Sequence, residues 1–99
     1  MVETMKMETA EHVAEVLKAI AHPVRLQIVA LLENGEMCVN EIVAALGAKH
    51  AITSQQLNMM KARGVLACRR DGAKSYYRIQ NPQVIRLLQC IYDHCQQTK

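Results

Sequence analysis

The sequence contains no phenylalanine and no tryptophan, and its three aromatic residues are all tyrosine. With so few large rings, the interior must be packed from Leu, Ile, Val, Met and Ala, the composition of helices packed on one another. There are two prolines and four glycines, so built-in breaks are few and each one marks a boundary. No apolar run is long enough to span a bilayer, and no basic start leads into one; this argues against secretion or membrane insertion and makes the cytoplasm the expected compartment. Enzyme motifs are missing too: the chain has no Cys-x-x-Cys, no glycine-rich phosphate loop, no metalloprotease helix and no suitably placed carboxylate pair. Catalysis is therefore not expected. Repeats, low-complexity stretches and linkers are also lacking.

What is present is a 99-residue chain with 51% apolar residues, read as one domain over residues 1–99. At this size a single core is marginal, and an apolar face is expected to remain for a second copy of the chain. Charge is unevenly placed. Of the twelve Lys and Arg residues, Lys61, Arg63, Arg69, Arg70, Lys74 and Arg78 lie between positions 61 and 78 beside a single acid, Asp71, giving +5 locally and −2 elsewhere. A mildly acidic body carrying one basic segment is the electrostatic outline of a nucleic-acid reader. The four cysteines, in a reducing compartment, are expected as thiols.

Residues 1–7 lack periodicity and are expected to fray or to extend the first helix. A first helix is predicted over 8–21, where Val13, Val16, Leu17 and Ile20 recur at helical spacing, and His22-Pro23 ends it. A second runs from Pro23 to Glu33 and stops at Asn34-Gly35. A short third helix spans Val39 to Leu46 and ends at Gly47. The fourth runs from His50 to Ala62, with Ile52, Leu57 and Met60 expected inward and Lys49, His50, Thr53, Ser54, Gln55 and Gln56 outward. Runs at 65–70 and 75–79 around Asp71-Gly72 read as a β-hairpin with a cationic tip. Asn81 then caps a fifth helix over 82–96, whose seam is Val84, Leu88, Ile91 and Cys95. The fold class is mainly α with a β-hairpin, a winged helix-turn-helix of four helices, two strands and a last helix, paired through its first and fifth helices.

Several strings are familiar in combination. The run Ala21-His22-Pro23-Val24-Arg25-Leu26-Gln27-Ile28, the Gly35-to-Val39 turn, Leu46-Gly47, Thr53-Ser54-Gln55-Gln56-Leu57, Gly64-Val65-Leu66 and Arg69-Arg70-Asp71-Gly72 through Tyr76-Tyr77 resemble the ArsR/SmtB family of bacterial repressors. The resemblance implies a homodimer that binds a double-stranded DNA operator and leaves it on sensing a metal ion, a metalloid or a reactive sulfur species. It places the fourth helix in the major groove with His50, Thr53, Ser54 and Gln55 near bases or adjacent phosphates. Arg69, Arg70 and Lys74 then lie along the backbone; Lys49, Gln56 and Lys61 complete the expected DNA-binding set. The alternative reading is a winged-helix module for protein partners, without inducer sensing.

The sensing residues are less defined. Arsenic-sensing relatives carry Cys-Val-Cys at the start of the third helix, where this chain has Cys38-Val39-Asn40. A persulfide- or oxidant-sensing branch is matched at Ser54-Gln55-Gln56-Leu57 and by Cys95, but its partner position in the second helix holds Ala30. The pattern of a zinc site between paired last helices is met only in part by Asp93-His94. Cys38, Cys90 and Cys95 remain as candidates, for a three-sulfur site suited to arsenite or a thiophilic metal, or for a redox pair needing no cofactor. Cys90 and Cys95 stand about 140° apart on an ideal helix, whereas Cys90 and His94 share a face. Cys68, His12 and His22 are expected to be structural or incidental, and the methionines form no copper-binding cluster.

Overall fold

The computed structural model describes residues 5–97. In chain order the elements are α1 (Met7–Ile20), α2 (Pro23–Leu32), β1 (Met37–Cys38), α3 (Val39–Leu46), α4 (His50–Ala62), β2 (Leu66–Asp71), β3 (Lys74–Ile79) and α5 (Pro82–Gln97). Of the segment expected to fray, residues 1–4 lie outside the described residues, and Met7 already opens α1.

The breaks fall where local chemistry puts them. His22 leaves the helical conformation and its Nδ1 accepts the Val24 amide at 3.1 Å, capping α2 directly ahead of Pro23. A residue expected to be incidental is thus a helix cap. Gly47 closes α3 with a φ of 67° and donates its amide to the Val43 carbonyl, a left-handed cap that a side chain would strain. Asn81 accepts the Gln83 amide at the start of α5, as expected.

The expected two-stranded hairpin is the larger part of a three-stranded antiparallel sheet, ordered β1-β3-β2. The extra strand is two residues long, pairing Met37 with Tyr77 and Cys38 with Tyr76. In the hairpin Asp71 pairs with Lys74, so the turn residues are Gly72 and Ala73 rather than Asp71 and Gly72. Only Gly72 of the two has a positive φ, the pattern of a tight turn with glycine at its first central position.

Ile28, Ile42, Leu57, Met60, Val29 and Val65 are fully buried and join α2, α3, α4 and the root of the hairpin. This core fixes the rotation of α4, and it corrects one expectation. Its inward positions are Thr53, Leu57 and Met60, spaced i, i+4 and i+7. Ile52, one residue out of phase, is 45% exposed. Thr53 is buried without an unmet polar group because its hydroxyl donates to the Lys49 carbonyl at 2.9 Å.

α5 joins this core near its start, through Val84, with Leu88 packed against it. Val84 is buried, but Leu87, Ile91 and Tyr92 are exposed, as are Val13 and Leu17 of α1. Between α2 and α5 an apolar cleft of about 460 Å³ is lined by Leu26, Val29, Ile85 and Leu88 among others. No helix among the described residues is long and apolar enough to cross a membrane.

Candidate nucleic-acid interface

The polar end of α4 begins at Lys49, its N-cap. Lys49, His50 and Gln55 are exposed, Ser54 and Gln56 half-buried. Ser54 Oγ lies 3.5 Å from His50 Nδ1, one helical turn back. Thr53, expected among the base-facing residues, is removed from that set because its side chain is fully buried. Farther along, Asn58 accepts a hydrogen bond from the Tyr77 hydroxyl at 3.3 Å, which ties α4 to the central strand. Burial, with the neighbouring Cys68, holds the Tyr77 phenol above its ordinary pKa and so keeps it a donor.

The basic segment divides into engaged and unengaged cations. Arg63, at the end of α4, pairs with Glu15 of α1. Arg69 is more firmly held. Its Nε donates to both Glu36 carboxylate oxygens at 3.0 Å and its Nη2 to one of them, its guanidinium lies 4.6 Å from the centre of the Tyr76 ring, and Asp71 is 3.7 Å away. That fork matches a carboxylate in two places and stacks on an aromatic face. The Arg69 hydrogen bonds, then the charges of Arg69 and Arg78, hold the Glu36 carboxyl below the usual carboxylate range, and the same pair raises Arg69. Arg69 therefore anchors the wing to the turn before β1, whereas the expectation put it on the DNA backbone. Among the described residues, Lys61, Arg70, Lys74 and Arg78 make no ion pair and are exposed.

Of these cations, Lys74 shares a cleft with the start of the polar helix. His50, at the start of α4, and Ala73, Lys74 and Ser75, at the wing tip, border a cleft of about 190 Å³ whose further lining is Cys38, Val39 and Asn40. Asn40, Ser75 and Glu36 carry no signal of their own in the sequence, and Arg78 is legible there only as part of the basic segment. Glu36 and Arg69 are 33 positions apart, and only the pairing of β1 with β3 makes them neighbours.

The thiols are scattered. Cys38 is buried at the junction of β1 and α3, where its amide donates to Glu41 Oε1 at 2.9 Å. That bond, with the Cys38 side chain and the charge of Lys74, holds Glu41 below the usual carboxylate range. Cys68 is half-buried on β2, and Cys90 is exposed on α5. Cys95, also on α5, borders the apolar cleft against α2 together with Ala30. Among the described residues no three His, Cys, Asp or Glu side chains are placed to hold a metal ion. The three-sulfur site of Cys38, Cys90 and Cys95 is therefore not assembled within one chain, and His94 adds no such cluster.

Residues 22–67 match the family model described as bacterial regulatory protein, arsR family. The biofilm growth-associated repressor of Agrobacterium fabrum is 35% identical over 84% of this chain and 71% of its own length. Among solved structures, the AntR antimony-specific transcriptional repressor superimposes with a TM-score of 0.85 at 30% identity, over 97% of this chain and 90% of that one. The homodimeric winged helix-turn-helix DNA-binding domain of Mb0332 from Mycobacterium bovis gives 0.81 at 34%, over 99% of this chain and 93% of that domain.

Proposed function

Since the chain belongs to the ArsR family of bacterial regulatory proteins, we propose that it acts as a single-domain, homodimeric repressor in the cytoplasm, binding duplex DNA through α4 and the wing and losing affinity when its thiols react. The observation that carries this reading is the common cleft between the start of α4 and the wing tip. It puts His50, on the helix that would read base edges, next to Lys74, a cation able to hold the backbone, and so joins the two components of specific recognition. The exposed apolar residues of α1 and α5 supply the second requirement. Val13, Leu17, Leu87, Ile91 and Tyr92 give a dimer seam, and two recognition helices related by a two-fold axis meet successive major grooves about 34 Å apart.

His50, Ser54, Gln55 and Gln56 are the base-reading candidates, with Lys49, Lys61, Arg70, Lys74 and Arg78 on phosphates. Sensing belongs to Cys38, Cys90 and Cys95. Their dispersal supports chemistry at one sulfur or at a pair bridged between subunits, such as disulfide or polysulfide formation, over a metalloid held by three sulfurs of one chain. Selection of duplexes from a random pool, followed by binding isotherms across a salt series, tests the first half: a steep fall of affinity with salt is expected, and a flat response would remove the DNA reading. Titrating the complex with arsenite, cadmium, a polysulfide and peroxide tests the second half. A Cys38→Ser/Cys90→Ser/Cys95→Ser variant that still responds normally would refute thiol sensing.

A further inference from the structure

α2 and α5 turn matching stripes toward each other and leave a gap between them. Leu26, Val29 and Ala30 of α2 stand at i, i+3 and i+4, and Ile85 and Leu88 of α5 at i and i+3, so each helix shows the other a continuous apolar face. Helices that meet through such faces ordinarily interlock at an interaxial distance of about 8–10 Å, and protein interiors keep few voids larger than a water molecule. Here about 460 Å³ stays open, within the range of about 300–1,000 Å³ typical of small-molecule sites.

The polar groups at this cleft favour one sign of charge. Glu33 borders it as the C-cap of α2, at the negative end of that helix's dipole. No basic residue stands in the last turn of α2, and the described residues lining the cleft include no Lys, Arg or His. On the α5 side Gln89 donates its amide to Asp93 at 3.1 Å, which leaves its carbonyl oxygen as an acceptor. Tyr92 adds a ring, whose face attracts cations. A carboxylate, a helix end, a carbonyl and a ring around an apolar wall select a positive charge, although the chain as a whole carries +3.

We propose that this cleft binds a lipophilic organic cation, with its apolar body between α2 and α5 and its charge toward Glu33, and that the occupant acts as an effector. Ile91 and Tyr92 line the cleft and also belong to the exposed face assigned above to the dimer seam. An occupant that shifts α5 against α2 therefore changes the set of the two reading heads. The binding site stands on the cleft alone; its effect on DNA rests on the DNA-binding reading above.

Tetraphenylphosphonium and tetraphenylborate, ions of nearly the same shape and opposite charge, are the probes, titrated calorimetrically into the full chain. The phosphonium should bind once per protomer with a Kd on the order of 10 μM, and the borate at least about fivefold more weakly. Glu33→Gln should weaken the phosphonium about fivefold without weakening the borate. Methyl NMR of the native chain should place the phosphonium shifts at Val29, Ile85 and Leu88, and Ala30→Phe, which fills the cleft, should abolish binding. Equal affinity for the two ions, phosphonium binding untouched by Glu33→Gln, or methyl shifts elsewhere would overturn the site. Binding seen only in Ile91→Asp, and not in a native dimer, would give the cleft to the second copy and overturn it too. At saturating phosphonium the native chain should hold a labelled duplex about tenfold less tightly, and Ale30→Phe should hold it unchanged. If the native chain binds both but holds the duplex equally with and without the ion, the effector role falls while the site and the DNA reading stand. A chain that binds the phosphonium but no duplex loses the DNA reading, and the effector role with it, while the site stands.

Discussion

Freeing Arg69 should strengthen DNA binding, although the substitution that frees it removes a hydrogen-bonded ion pair. In the native chain the Arg69 guanidinium spends two donor groups on Glu36 and stacks on Tyr76, so its charge is already matched before DNA arrives. Glu36→Gln leaves the geometry nearly unchanged but removes the closer of two negative partners, leaving Asp71 at 3.7 Å as a weaker one. Each phosphate neutralised contributes about 0.9 to the slope of log affinity against log salt, so recruiting Arg69 should steepen that slope by about 0.9 per wing and raise affinity about eightfold per wing at about 0.1 M salt. The charge-balanced control is Glu36→Gln/Arg69→Gln, which removes the pair as a unit and should leave the slope at its native value. Arg70→Ala, by contrast, removes a cation with no ion-pair partner and should flatten the slope by about 0.9 per wing. Fluorescence anisotropy of a labelled duplex across a potassium chloride series reads all four proteins. Two results would refute the reasoning: a Glu36→Gln slope equal to native, or a double variant that loses as much as Arg70→Ala.

Thr53 should behave as a core residue: Thr53→Ala should cost about 1–2 kcal/mol in urea unfolding, from one lost methyl group and one lost hydrogen bond, with the preferred DNA sequence unchanged in a selection experiment. Ile91→Asp on the exposed face of α5 should shift sedimentation from dimer to monomer, and in the native protein the thermal midpoint should climb with protein concentration. Acid should destabilise the fold through Glu36 and Glu41, whose folded-state pKa values are lowered. Their contribution is complete above the unfolded carboxylate pKa of about 4.3 and is lost as pH falls from there through the lower folded values. The urea midpoint of Glu36→Gln/Glu41→Gln should therefore vary less with pH in that window than the native midpoint does.

What the sequence conveyed was whatever local chemistry decides. α3 and α4 match their predicted bounds because Gly47, Arg63 and Gly64 punctuate the chain and the core residues between them recur at helical spacing. β1 was missed because two residues have no period of their own; Met37 and Cys38 are strand only because Tyr77 and Tyr76 lie opposite. The exchange of Ile52 and Thr53 has a different cause. Spacing alone favoured Thr53, which stands four and seven residues before Leu57 and Met60, but the isoleucine side chain drew the inward assignment. The engagement of Arg69 could not be read at all, since its partner is distant in sequence and a cationic hairpin looks the same whether or not one of its charges is already matched. The amphipathic seam of α5 is legible in the sequence, while the cleft between it and α2 is not, since Leu26 and Val29 lie more than fifty positions before Ile85 and Leu88.

The separation of the thiols bears on how repression could be released. Cys38 sits at the junction of β1 and α3, in one cleft with the wing tip and the start of α4; Cys95 sits on α5 against α2. A reaction at Cys95 reaches DNA only by shifting α5, which in a dimer would set the distance and tilt of the two reading heads, and it displaces the equilibrium only by its differential affinity for the two arrangements. A hundredfold release by that route needs about 2.7 kcal/mol of coupling carried across the dimer seam. A reaction at Cys38 needs no such relay, because that residue already lines the cleft between the wing tip and the start of α4. It also acts on each head alone, and a dimer that loses one head loses the effective concentration that the tether between the heads supplied. One modified Cys38 per dimer would therefore suffice for release, whereas the α5 route moves both heads together. The dependence of DNA release on the fraction of modified sulfur separates the two: half-modified dimers release fully in the first case, whereas in the second one modified sulfur supplies half of the coupling, about tenfold rather than a hundredfold release.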